Sequence, residues 1–174
     1  MEKQLYILRH AKSEPWSPLG NDFSRSLSNI GNQHAEALSA WALDNLATPD
    51  TVLCSPAKRT RETLAPIMAK WPQLLSATDY VESMYGASLN MLLTLTEEAF
   101  SYTDRLMLVG HNPGFENLLI HVLQAEQAAG IHKMATGTLA VLEFADGFRR
   151  DARNGKLLQL RRRKDFSIEQ NSHL

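Results

Sequence analysis

Three short stretches of the chain set cationic or imidazole side chains directly behind an apolar run. They are LRHAKS (Leu8–Ser13), LCSPAKRTRET (Leu53–Thr63) and LVGHNPGFEN (Leu108–Asn117). Within them stand Arg9, His10, Arg59 and His111. Guanidinium forks match the oxygens of phosphate, and imidazole serves as nucleophile, base or donor. In the second stretch Ser55 is suited to cap a helix and Pro56 to occupy its first turn. Arg59 then lies one turn in, on the face shared with Ser55 and Thr63. In the third, Gly110 permits a tight exit from a strand, and Asn112-Pro113 repeats the cap-then-proline pattern. Each stretch alone is ordinary: an Arg-His pair at a strand end, a helix start, a turn. Their recurrence at three junctions of one kind points to a shared anion site, with phosphate the obvious ligand and free helix amides as further donors. At this level the chemistry performed on the anion stays open.

These junctions need elements to hold them. Leu5–Leu8, Thr51–Cys54 and Leu106–Val109 are short continuous apolar runs, the pattern of strands covered on both faces. Residues 30–46 carry a stripe of Ala35, Leu38, Ala42 and Leu46 and read as a helix. Residues 57–71, 89–100 and 115–123 also read as helices, with a bend or break at Pro66. Lys12 to Ser28, holding Pro15, Pro18, Gly20 and Asn21, reads as a loop. Residues 138–144 and 156–160 are expected late strands, with a turn at Asp146-Gly147. The alternation predicts an α/β layer fold with a mostly parallel sheet. Ligands of such sheets bind outside the carboxyl ends of the strands, where the three junctions fall.

The totals set bounds. With 174 residues, the chain is read as one domain over 1–174, residues from about 147 onward being the last strand and tail. Apolar residues make up 44% and charged residues 21%, a globular rather than a disordered composition. A net charge of −1 gives no global field toward nucleic acid or a membrane, and neither is expected as a partner. A lone cysteine, Cys54, excludes an intramolecular disulfide and suits a reducing cytoplasm, the expected location. The opening MEKQLYILRH lacks the apolar core of a signal peptide, and no run approaches the roughly 18 apolar residues of a membrane span.

The ordered segments together resemble a known family. RHAKS (Arg9–Ser13) resembles the RHG-type signature of the histidine phosphatase, or phosphoglycerate mutase-like, superfamily. SPAKRTRET (Ser55–Thr63) is similar to its SPxxRxxxT segment, and GHNPG (Gly110–Gly114) to the segment holding its second histidine. DFSRSLSNIG (Asp22–Gly31) resembles the DxxRPLxxxG stretch of the short members. With TGTLAVLEF (Thr136–Phe144), the set is most similar to the SixA-type phosphohistidine phosphatases. Ala11 replaces the usual glycine and Ser26 the usual proline. The resemblance implies a three-layer α/β/α sandwich with a mostly parallel central sheet and no large cap insertion. An uncapped site suits a protein surface.

The resemblance also implies roles. His10 becomes the nucleophile, attacking phosphorus as a neutral imidazole to form a phosphohistidine intermediate that water cleaves. Nearby arginines disfavour imidazolium and stabilise the transferred phosphoryl oxygens. Arg9 and Arg59 take that part, with His111 as a further donor and Ser13 adding a hydroxyl. No metal and no cofactor is expected, since arginines and imidazoles supply the positive charge. ESMYG (Glu82–Gly86) resembles the ExxYG run where mutases of the superfamily place their acid, which nominates Glu82. A solvated charge ahead of a helix is the other reading of Glu82.

The remaining candidates carry less. His34, His121, His132 and His173 lack partners at ligand spacing. Cys54 reads as an inert core thiol; a Cys-x5-Arg loop would need arginine where Thr60 stands. The Arg161–Lys164 run reads as a solvated strand end, and Asp165–Leu174 as frayed. The leading expectation is a phosphatase acting on phosphohistidine in a carrier or phosphorelay protein. The alternatives are a phosphatase of small phosphate esters and a module that binds phosphate without turnover.

Overall fold

The structure, a computed structural model, describes residues 1–166. The strands are β1 (Lys3–Arg9), β2 (Thr51–Cys54), β3 (Thr78–Tyr80), β4 (Arg105–Gly110), β5 (Leu139–Phe144) and β6 (Lys156–Arg161). The helices are α1 (Asn29–Asn45), α2 (Lys58–Lys70), α3 (Leu89–Phe100), α4 (Gly114–Val122) and the short α5 (Ala125–Ala128). The strands form one sheet in the order β3-β2-β4-β1-β5-β6. β3, β2, β4 and β1 run parallel, and β5 lies antiparallel to both β1 and β6.

Strand alternation sorts the core into two layers. Leu5 and Ile7 of β1 pack with Leu92 of α3 and Leu118 of α4 on one face. Tyr6 and Leu8 pack with Leu38 of α1 and Leu64 of α2 on the other. Both faces of the central strands are therefore buried, which is why their sequences are continuously apolar. Each such large side chain contributes about 1.5–3 kcal/mol by leaving water. The three-layer sandwich with a mostly parallel sheet is the fold expected. Among the described residues no helix is long and apolar enough to cross a membrane.

Two local expectations are corrected. α2 runs through Pro66 without a break. Its Thr63, Leu64 and Ile67 are buried, and that packing holds the turn despite the missing amide. β3 went unread because Thr78-Asp79-Tyr80 is a polar edge strand with no apolar run. The frayed end expected over 165–174 lies outside the described residues from 167 onward, as does His173.

Residues 10–28 cross the carboxyl edge of the sheet before α1 begins at its Ser28 cap, whose side chain accepts from the Gly31 N–H. This loop rests directly on α1. A Cβ at Gly31 would lie 2.0 Å from the Lys12 carbonyl oxygen. That carbonyl is itself pinned by the Ser28 N–H at 2.9 Å and the Ser28 hydroxyl at 3.1 Å. Gly31→Ala is expected to cost about 1–3 kcal/mol, read as a lowered thermal midpoint. An unchanged midpoint would show that the loop yields freely.

Candidate active site

β2, β4 and β1 are neighbours, and their carboxyl ends lie level. Arg9 is opposite Gly110, and Cys54 is opposite Val109. The next residue of each strand line is therefore delivered to one place. The His10 N–H bonds the Gly110 carbonyl at 3.1 Å, and the Ser55 N–H bonds Val109 at 2.9 Å. The His10 and His111 rings lie 5.3 Å apart, centroid to centroid. Only 6% of His10 and 9% of His111 are exposed, and Arg59 is buried beside them. Arg9 and Arg59 are close enough to perturb both rings.

Each side chain is held from behind. His10 Nδ1 sits 2.7 Å from the Ala11 carbonyl oxygen, which can only accept. Nδ1 therefore carries the proton, and the Nε2 lone pair is free to react. His111 Nε2 lies 2.7 Å from Ser55 Oγ. Ser55 Oγ also accepts from the Ala57 N–H at 3.4 Å, and either Ser55 Oγ or His111 Nε2 can carry the proton between them. When Ser55 donates, His111 Nδ1 carries the ring proton and is a donor. Arg9 gives one terminal N–H to the Met134 carbonyl at 2.8 Å, and Arg59 gives two to Asp22. Among the described residues, Arg9 Nε, Arg59 Nε and His111 Nδ1 are buried and have no hydrogen-bond partner. Buried donors of this kind are costly unless an acceptor meets them. The two guanidinium donors, with His111 Nδ1 in its donor tautomer, suit a multiply charged oxyanion.

The electrostatics keep the imidazoles neutral. Burial foremost, helped by the charges of Arg59, Arg9 and Arg25, lowers the pKa of His10 from 6.5 to about 4, against an upward pull from the Ala11 carbonyl that is second only to burial. Burial, then Arg59 and His10, lower that of His111 to about 3. An ordinary imidazole would be about nine-tenths protonated at pH 5.5. Here both rings stay uncharged at that pH, and protonation is completed only as pH falls through the lowered values. In imidazole NMR titrations of the protein without oxyanion, neither histidine is expected to show a midpoint above pH 5. A midpoint near 6.5 would contradict this environment.

Several sequence readings change at this level. Ser55 does not cap α2. Ala57 is the cap residue, and the Ser55 hydroxyl is turned to His111. The first amide of α2 is not free for an anion, because the Lys58 N–H is taken by the Phe23 carbonyl at 3.0 Å. Pro113, expected as a first-turn residue, is the cap of α4, and Asn112 reaches the Glu116 N–H at 3.2 Å from one residue before it. Gly110 has no positive φ; its missing Cβ makes room for the Phe115 ring, 2.6 Å from where that atom would stand. Thr63 accepts from the Ala11 N–H at 3.0 Å and so fixes the backbone beside His10.

Ser13 lies in the loop and accepts from Arg25 at 3.1 Å. Glu82 is exposed in a short 3-10 turn, and its carboxylate enters no hydrogen bond or ion pair among the described residues. Its neighbour Tyr85 faces the site instead, edge-on to His111 at 5.6 Å. Residues that sequence reasoning passed over are Asp22, Tyr85 and Glu116. Asp22 opens the DxxR segment and Tyr85 is the tyrosine of the ExxYG segment, the one signal that could have found them. Glu116 accepts from the Met134 N–H at 2.8 Å and thereby seats the carbonyl that holds Arg9. The Cys54 thiol is buried, its pKa raised to about 12 by that burial. Among the described residues no group of three or more His, Cys, Asp or Glu side chains is arranged to hold a metal.

This geometry has counterparts. A profile of the histidine phosphatase superfamily (branch 1) matches residues 5–87. An uncharacterised protein of Mycobacterium tuberculosis H37Rv is 33% identical over 113 residues, spanning 65% of this chain and 68% of that protein. The chain belongs to the histidine phosphatase superfamily, and that membership together with its SixA-like neighbours supports a phosphatase. Within the superfamily its shape is that of the SixA group. The Agrobacterium tumefaciens protein assigned the name SixA superposes with a TM-score of 0.80 at 29% identity, over 92% of this chain and 97% of that one. The protein histidine phosphatase SixA complexed with tungstate gives 0.75 at 16% identity, over 93% and 98%, a likeness of fold.

Proposed function

We propose that this phosphatase carries the phosphoryl group on His10 Nε2 and removes it from phosphohistidine in a protein. The observation that carries the reading is the set of buried, unpartnered nitrogens (Arg9 Nε, Arg59 Nε and His111 Nδ1) beside a neutral imidazole whose Nδ1 is already engaged. In the first step the Nε2 lone pair forms an N–P bond while the bond from phosphorus to the leaving nitrogen breaks, and that nitrogen ends with one proton drawn from water. In the second step a water oxygen bonds to phosphorus, the N–P bond breaks, and the hydroxide left by the first step takes up one of that water's protons. Inorganic phosphate and neutral His10 result. The donors gain strength as charge spreads over the phosphoryl oxygens.

A protein substrate is supported by the uncapped strand ends and by the SixA likeness. A phosphorylated imidazole is already a good leaving group, so a dedicated acid is dispensable. Glu82→Gln is therefore expected to keep phosphohistidine hydrolysis within about twofold, while any part it plays as an acid shows as slower hydrolysis of alkyl esters. Loss of both activities would instead tie Glu82 to the shared chemistry.

Small phosphate esters are the second reading, favoured by the ExxYG segment that brings Tyr85 to the site. The deciding experiment compares kcat/KM on a phosphohistidine-bearing carrier protein and on free sugar phosphates. Preference for the carrier supports the first reading, and preference for sugar phosphates the second. Oxyanion binding without turnover on either would indicate a binding module.

A further inference from the structure

We infer that Asp22 is a positioning residue that aims Arg59 at the oxyanion, and that Tyr85 locks Asp22 in that pose. The inference deepens the proposed reading and rests on it. The Asp22 backbone carbonyl accepts from Arg59 Nη1 at 2.8 Å, and its Oδ2 accepts from Nη2 at 3.0 Å. One residue thus pins both terminal nitrogens of the guanidinium. In a planar fork, that fixes the direction of the third donor, the unpartnered Nε–H. The burden is lopsided: the Arg59 side chain is 6% exposed and that of Asp22 is 52%. An exposed carboxylate on a mobile-length loop would ordinarily contribute little.

The loop carboxylate is itself held from two further directions. The Tyr85 hydroxyl donates to the same Oδ2 at 2.6 Å. Arg25 Nε donates to Oδ1 at 2.9 Å, while its Nη1 fastens Ser13 Oγ and the Glu14 carbonyl. The Tyr85 ring is wedged edge-on between Phe23, at 5.2 Å, and His111, at 5.6 Å. Asp22 therefore ties the β1–α1 loop, α2 and the segment before α3 into one frame. These bonds hold the Asp22 carboxyl at about 2, the one from Tyr85 foremost, so the frame keeps its charge at all ordinary pH.

Asp22 has two separable effects on an oxyanion. Its charge repels the anion, and its hydrogen bonds aim Arg59. Alanine removes both effects, whereas asparagine removes the charge and keeps an acceptor for Arg59. The test is titration of inorganic tungstate, a readout that needs no turnover, against wild type, Asp22→Ala, Asp22→Asn, Tyr85→Phe and the Asp22→Ala/Tyr85→Phe double variant. Thermal melts establish that each is folded. Positioning predicts at least about tenfold weaker binding for Asp22→Ala and binding within about threefold of wild type for Asp22→Asn. Tyr85→Phe is expected to lose about two- to fivefold alone and nothing more beside Asp22→Ala. Asp22→Ala that binds as tightly as wild type or tighter, or that moves together with Asp22→Asn, overturns the positioning role. Tyr85→Phe with unchanged affinity overturns the lock, including where Asp22→Ala does not fold. Wild type that binds no tungstate removes the oxyanion site itself; wild type that binds while the variants fail their pattern removes only this inference.

Discussion

His10→Ala is expected to lower phosphate release by roughly four orders of magnitude or more, on a phosphohistidine carrier and on an aryl phosphate alike. The expectation follows from the Nε2 lone pair. His10 Nδ1 is committed to the Ala11 carbonyl, and burial with three nearby arginines keeps the ring neutral, so Nε2 keeps a free lone pair at neutral pH. His111 does not replace it, because its Nε2 is engaged by Ser55. The variant should still bind tungstate, since Arg9, Arg59 and His111 remain. The assay is phosphate release with a chelator present, alongside a thermal melt. Residual turnover within tenfold of wild type would mean that the phosphoryl group never resides on His10.

The second large effect belongs to Arg59. Arg59→Ala is expected to lower kcat/KM by about 10²–10³, the scale seen when one preorganised donor to a transition-state oxygen is removed. Arg59→Lys should recover less than about a tenth of the loss. Lysine keeps the charge but cannot bond Asp22 with two nitrogens while presenting a third donor from the fork. Full rescue by lysine would reduce Arg59 to a point charge. Stopped-time kinetics on both substrates, with tungstate affinity beside them, separates lost turnover from lost binding.

Much of this was legible in the residues. Leu5–Leu8, Thr51–Cys54 and Leu106–Val109 announce themselves because strands buried on both faces must be apolar throughout. The four junction residues stand out because each follows such a run. What escaped was long-range. Asp22 and Tyr85 are far apart in sequence, and nothing local says that their side chains meet. Ser55 looked like a helix cap because Ser-Pro is a good cap sequence, yet its hydroxyl serves His111 instead. Glu116 and Met134 join through a carboxylate-to-amide bond that leaves no local signature. In each case the reading failed where a side chain adds a distant partner to a local one.

The most direct measurement is to trap the enzyme during turnover. Wild type would be mixed with a phosphohistidine carrier, quenched in alkali within the first turnover, and its peptides read by mass spectrometry. The account predicts a phosphoryl group on the peptide holding His10, stable in alkali, lost in acid and missing from His10→Ala. Release of phosphate with no phosphoryl on His10, or with the group on His111, would contradict it.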